Sequence, residues 1–220
     1  KEAERLEAMV RERTAQLAET QFELVRCLAR AGKFRDSDTG SHILRVSIGC
    51  RMLAEAAGLS AHQVELIRYA SMMHDIGKIG VADRILLKPM KLTPDEFEEI
   101  KTHCQYGVDI IGNHPADVTQ MARDIAYTHH ECWDGNGYPR GLRGEAIPIA
   151  GRITAIIDVY DALTSSRPYK AAFSPNEALA MIREGAGSKF DPSLVANFLL
   201  IHDALRKQLD ALGGDDSSAS

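Results

Sequence analysis

Four cysteines, Cys27, Cys50, Cys104 and Cys132, stand far apart and form no C-x-x-C pair. That spacing excludes a zinc-knuckle arrangement and offers no disulfide framework, so a reducing, cytoplasmic setting fits best. No apolar run approaches the roughly 20 residues of a membrane-spanning helix, and no signal peptide opens the chain. Positive charge is not in excess either. With 26 Lys and Arg against 31 Asp and Glu, the formal net charge is -5, the wrong sign for a nucleic-acid polymer or an anionic membrane surface as main partner. A small anionic ligand stays allowed, because bound metal ions bring their own positive charge.

What is present suits one sizeable soluble domain: 220 residues, 45% hydrophobic and 26% charged. The first residue is Lys1 rather than Met, which predicts a segment of a longer chain. Residues 1–31 contain neither Pro nor Gly until Gly32 and are dense in Glu, Ala, Arg and Leu, a composition for one continuous helix. Val10, Leu17, Leu24 and Ala31 recur every seven, with Leu6, Arg13, Thr20 and Cys27 at the complementary positions. This half-apolar heptad predicts a linker helix over 1–34 that forms a coiled-coil homodimer and connects an upstream receiver or sensor domain. The competing reading is a helix lying on its own domain.

Further helices are expected from about Ser41 to Ala57, from Ser60 to Met73 and from Thr93 to Ile111, then from Pro115 to His130, from Pro148 onward, from Ser174, and from Pro192 to about Leu209. Ser60 with Gln63, Thr93-Pro94 with Glu96, and Ser174-Pro175 with Glu177 are capping-box starts. The stretch from Gly77 to Leu92 reads as an irregular excursion, and 211–220 as a disordered polar tail. No convincing strand is found. The expected class is all-α, with a catalytic domain over 35–210.

The chemistry concentrates in a few places. His129-His130-Glu131-Cys132-Trp133-Asp134-Gly135-Asn136-Gly137-Tyr138-Pro139 puts two adjacent imidazoles at a helix end before a glycine-rich loop. His74-Asp75 supplies a nitrogen and an oxygen side by side, which suits a divalent metal whose neighbour can share the carboxylate. With His42, His103 and Asp158, and Asp38 one turn before His42, these residues predict a metal-dependent hydrolase.

The same residues closely resemble the HD-GYP branch of the HD phosphohydrolase superfamily. The resemblance rests on Asp38-x-Gly40-x-His42 with Thr39, His74-Asp75-x-Gly77-Lys78-Ile79-Gly80, Lys88-Pro89, His103, His129-His130-Glu131 and Trp133-Asp134-Gly135-x-Gly137-Tyr138-Pro139. It continues through Asp158-x-x-Asp161-Ala162-Leu163 and Arg167-Pro168-Tyr169-Lys170. It implies an HD-domain helical bundle holding two or three divalent metal ions, iron or manganese, that hydrolyses cyclic di-GMP to pGpG, GMP or both. His42, His74, Asp75, His103, His129, His130 and Asp158 match the ligand positions, with Asp75 bridging two ions. Asp38 stands where some members carry Glu for a third.

In that setting Asp75 and Lys78 carry the catalysis: metal-activated hydroxide attacks phosphorus while Lys78 stabilises charge on the phosphate or leaving oxygen. Tyr138, Arg167 and Lys170 are the substrate-binding candidates. Tyr138 is also read as an internal brace of its loop, Trp133 as packing beneath it, Glu131 as an imidazole partner or a solvated charge, and Asp161 as a support one turn after Asp158. Cys104 is expected to point away from the metals. Two further readings stay open: a preference for hybrid cyclic GMP-AMP, and a catalytically silent signalling module.

Overall fold

The computed structural model describes residues 1–33, 40–165 and 172–215. The described residues form ten α-helices and no β-strand: α1 (Glu2–Lys33), α2 (Gly40–Ala56), α3 (Ala61–Ala70), α4 (Asp83–Leu86), α5 (Pro94–Lys101), α6 (His103–Ile111), α7 (Asp117–Thr128), α8 (Ile149–Thr164), α9 (Pro175–Glu184) and α10 (Pro192–Asp215). The three capping boxes expected from sequence start α3, α5 and α9, each with both reciprocal hydrogen bonds formed. Each such cap contributes about 1 kcal/mol by satisfying amides that have no partner inside the helix.

The core is organised around α8. Its sequence is apolar nearly all round, and Ile153, Ile156 and Ile157 are buried together with Ala150, Ala155 and Tyr160, as befits a helix enclosed by others. Side chains from α2, α3, α7, α9 and α10 pack with it into one hydrophobic cluster that includes Leu53, Ile67, Ile125, Ile182, Phe198 and Leu205. Each fully buried Ile, Leu or Phe contributes about 2 kcal/mol relative to exposure. Asp158 and Asp161 therefore sit on the last two turns of a largely buried helix.

A second, smaller cluster fixes α1. Phe22, Val25 and Ala29 pack against Ile43, Met72 and Tyr69, and Phe22 meets Tyr69 edge-on at 5.2 Å. The rest of α1 stands clear: residues 1–17 are exposed throughout. Leu6, Val10, Leu17 and Leu24 are each about 60% exposed, on a stripe roughly 120° round the helix from the docked edge at 100° per residue. The reading of a helix lying on its own domain thus holds for residues 22–29, while the heptad stripe stands exposed.

Three boundaries differ from expectation. The helix expected from Thr93 to Ile111 breaks at Thr102, whose hydroxyl donates to the Glu99 carbonyl at 2.6 Å, a local bond that competes with the helical ladder and bends it. The excursion after Gly77 contains a 3-10 turn, Ile76–Gly80, and the short α4. The final helix runs on to Asp215 rather than stopping near Leu209.

The break at Thr102 lets α6 settle against the 3-10 turn. A Cβ at Gly77 would lie 1.9 Å from the His103 carbonyl oxygen and 2.3 Å from the Gly107 nitrogen, so only glycine allows this approach. Gly77→Ala must push the turn off α6, which we expect to cost about 3 kcal/mol. Thermal unfolding should show Tm lower by roughly 6–12 °C. An unchanged Tm would mean that the contact is not held in solution.

Candidate metal centre

Five segments deliver ligand candidates to one place, mostly from helix ends. His42 lies in the first turn of α2, and His74-Asp75 joins the 3-10 turn Ser71–Met73 to Ile76–Gly80. His103 is the first residue of α6, His129 caps the end of α7, His130 follows it, and Asp158 comes from α8. Helix termini suit this task because a side chain there can turn along the axis instead of packing sideways.

The donors fall into two sets. Ligand atoms of Asp75, His103, His129 and His130 lie within 4.8 Å of one another, as do those of His42, His74 and Asp158. Asp75 lies between the sets. Its Oδ1 is 3.6 Å from His103 Nε2 and 3.7 Å from His129 Nε2, while its Oδ2 is 3.3 Å from His74 Nε2. Asp158 Oδ1 stands 3.6 Å from His74 Nε2 and 3.8 Å from His42 Nε2. Lys78 Nζ pairs with Asp75 Oδ2 at 2.8 Å.

Hydrogen bonds fix the tautomers. Nδ1 of His74 donates to the Ser71 carbonyl at 2.8 Å, that of His103 to the Ile100 carbonyl at 2.7 Å, and that of His129 to the Ile125 carbonyl at 3.0 Å. His42 Nδ1 donates to Asp161 Oδ2 at 2.7 Å. An acceptor at Nδ1 puts the proton there and leaves the lone pair on Nε2. Nε2 of His42 and of His129 is buried with no hydrogen-bond partner, an arrangement that would cost about 1–3 kcal/mol per atom if nothing ever bound there. Burial drives the His103 imidazole down to about 4 and that of His130 well below its ordinary value, so both are neutral near pH 7. Buried neutral imidazoles with a shared carboxylate are the donor set of a divalent transition-metal pair, and the residues present fit one.

Supporting contacts not foreseen from sequence surround these atoms. Arg45, one turn after His42, grips Asp161 with Nε at 2.5 Å and Nη2 at 2.9 Å, and also reaches Ser165 and Ser41. Burial alone would raise the Asp161 carboxyl, but hydrogen bonds from His42 and Arg45 hold it at about 2. Asp161 therefore orients His42 rather than joining the inner set. A lone Arg at i+3 carries no such signal in sequence, because its partner is 116 residues away.

Glu131 answers to neither of its two sequence readings. It is buried, and its carboxylate accepts from the Arg140 amide at 2.8 Å and the Leu142 amide at 2.9 Å, clamping the glycine-rich loop back onto α7. A Cβ at Gly137 would meet the Cys132 nitrogen at 2.2 Å, so the loop closes only with glycine there. Tyr138 then stacks on His130, ring centroids 4.7 Å apart and 29° between planes. Trp133 lies half-buried with the Arg152 guanidinium 5.7 Å from its ring. The expectation that Cys104 points away is corrected: its buried thiol is 3.6 Å from His103 Nε2, because the Ile100 carbonyl turns the His103 ring back across the start of α6. His202 donates to or accepts from the Tyr160 hydroxyl at 3.0 Å in the core, an ordinary buried histidine. Asp38, Arg167 and Lys170 lie outside the described residues.

A profile described as HD domain matches residues 5–194. The chain belongs to the HD domain family. Its motifs and relatives put it in the HD-GYP branch of that family. A 3'3'-cGAMP-specific phosphodiesterase of Vibrio cholerae is 44% identical over 186 residues, covering 84% of this chain and 35% of that protein. A cyclic di-GMP phosphodiesterase response regulator of Xanthomonas campestris is 42% identical over 208 residues, 93% of this chain and 53% of that protein. The HD domain here thus spans about a third to a half of these curated relatives. A crystal structure of a cyclic GMP-AMP specific phosphodiesterase of Vibrio cholerae superposes with a TM-score of 0.64 at 20% identity, over 86% of this chain and 50% of that one, which shows the shared HD fold. No helix among the described residues is long and apolar enough to cross a membrane.

The depressed His103 imidazole has a consequence for the metal-free HD domain. Between pH 6.5 and about 4 the unfolded chain takes up this proton and the folded one does not, so stability falls as pH falls. From His103 alone we expect a loss of roughly 2 kcal/mol between pH 7 and pH 5. Denaturant unfolding of chelator-treated protein at the two pH values measures it, and His103→Gln should remove that share of the slope.

Proposed function

We propose that this domain is a metal-dependent phosphodiesterase that hydrolyses cyclic di-GMP to pGpG, GMP or both in bacterial second-messenger signalling. The observation that carries the reading is Asp75, whose two oxygens face imidazoles of two separate donor sets. The names of relatives at 42–44% identity supply the substrate class.

When bound, the ions, iron or manganese by this reading, supply Lewis acidity toward the phosphoryl oxygens and activate a water near neutral pH. The chain's own residues do the rest. The Nδ1 hydrogen bonds to Ser71, Ile100, Ile125 and Asp161 hold four imidazoles in the tautomer that presents Nε2. Lys78 reaches into the space beside Asp75 and neutralises charge that develops on a phosphoryl oxygen or on the ribose oxygen that leaves as its bond to phosphorus breaks. Tyr138 keeps His130 in place through its stacked ring. Arg167 and Lys170 are proposed to hold the second phosphate, and Asp38 to serve a third ion.

A second reading has its own support: the 44% identical Vibrio cholerae relative bears the name of a 3'3'-cGAMP-specific enzyme. Substrate preference is therefore part of the test. With manganese or, anaerobically, iron supplied, the native chain should convert cyclic di-GMP, resolved by chromatography, faster than cyclic GMP-AMP. His74→Ala/Asp75→Ala should abolish turnover and metal retention. Lys78→Met should keep the metal but lower kcat by roughly 100- to 1000-fold. No turnover of either dinucleotide by native protein with metal demonstrably bound would defeat the proposal.

We further propose that the exposed stripe of Leu6, Val10, Leu17 and Leu24 pairs two copies in a parallel coiled coil beneath an upstream receiver or sensor domain. Sedimentation of the chain should give a dimer that becomes a monomer when Leu17 and Leu24 are changed to Glu. A monomeric native chain at micromolar concentration would remove this part.

A further inference from the structure

An aromatic group continues outward from the metal centre through Tyr138, and its outer members, Phe97 and Lys101, take no part in the reading above. Tyr138 stacks on the ligand imidazole of His130. Phe97 meets Tyr138 edge-on, centroids 6.1 Å apart at 82°. The Lys101 ammonium is 5.0 Å from the Phe97 centroid and 5.3 Å from that of Tyr138. Phe97 and Lys101 are one turn apart on α5, so a single helix face presents both.

Core packing does not account for this pair. α5 has no buried residue, and Phe97 leaves 46% of its surface in solvent. A partly exposed phenylalanine beside a charged side chain, two ring-to-ring steps from a candidate metal ligand, has the make-up of a stacking platform. Aromatic faces take nucleobases with little regard to sequence, at roughly 10-fold or more in affinity per base. A lysine beside the platform adds selection, because guanine offers two acceptors, O6 and N7, on one edge, whereas adenine replaces O6 with an amino donor that an ammonium cannot use. Lys101 also pairs with Glu98 at 2.6 Å, but Glu98 is 70% exposed, and an ammonium carries three donors.

We propose that Phe97 and Lys101 form a guanine-binding subsite that stacks one base of the nucleotide substrate and reads its O6/N7 edge. The proposal rests on the phosphodiesterase reading for its place in the reaction, but its binding chemistry can be measured alone. The ring of Tyr138, committed to His130 on one side and facing Lys101 on the other, then links metal ligand and base platform rather than serving as the stacking surface.

Two measurements test it on the full chain loaded with manganese. The first is kcat/KM for cyclic di-GMP relative to bis(p-nitrophenyl) phosphate, a diester without a base. Phe97→Ala should lower this ratio roughly 10-fold, through KM rather than kcat. The second is calorimetric binding of GMP and AMP, which needs no turnover. The native chain should favour GMP, Phe97→Ala should weaken both nucleotides, and Lys101→Met should erase the preference, by roughly 10-fold. If the native chain cuts no cyclic dinucleotide yet shows this GMP preference and loses it in the variants, the phosphodiesterase reading fails and the guanine subsite stands. Equal losses on both diesters for Phe97→Ala would make Phe97 a brace for Tyr138 and overturn the proposal. GMP and AMP affinities unmoved by either substitution would overturn it as well.

Discussion

A neutral imidazole has one donor and one acceptor, and whichever nitrogen finds an acceptor first determines where the other points its lone pair. Four histidines here give their Nδ1 proton to oxygen: three to carbonyls within their own turn of helix and one to a carboxylate held by an arginine. Everything inside the centre follows from that commitment. The Nε2 lone pairs converge on Asp75 and Asp158, and burial keeps His103 and His130 uncharged near neutral pH, so the pocket stays ready to bind a cation instead of repelling one.

The outer fold is arranged so that these bonds can form together. The accepting carbonyls of Ser71, Ile100 and Ile125 also take a backbone amide, and each uses its second lone pair for the imidazole. His74, His103 and His129 lie at or beside helix ends, where a ring can turn back onto the preceding turn. The α8 helix supplies the opposite quality: enclosed by five neighbours, it gives Asp158 and Asp161 a fixed frame. Gly77 joins the two regimes, because its missing Cβ lets the His-Asp turn lie directly against the start of α6.

Much of this was legible in the residues. Helix starts announced themselves through Ser60, Thr93 and Ser174, whose caps are local and need only a few neighbours in sequence. The residues that the fold gathers into the two donor sets were legible as a motif string. What could not be read depends on chain segments meeting across long separations. Arg45 looks like any helical arginine until Asp161 comes beside it, and Glu131 looks solvated until the loop folds back over its carboxylate. Cys104 was misplaced because neighbours on a helix were expected to face apart; the His103 ring, bonded to the Ile100 carbonyl, instead brings Nε2 to 3.6 Å from the thiol. Phe97 and Lys101 were silent for the same reason, since nothing nearby in sequence says that Tyr138 will lie against them.

The small cluster that docks α1 has a mechanical side. Ala29 is buried against Ile43 and Met72, one residue from His42 and two from His74. The remainder of α1 extends about 30 Å beyond that contact, taking 1.5 Å per residue for some 20 residues. A rod of that length fixed at one end has the geometry of a lever arm: twist or tilt applied at its far end would reach the docked end as a small displacement, beside the residues that carry His42 and His74.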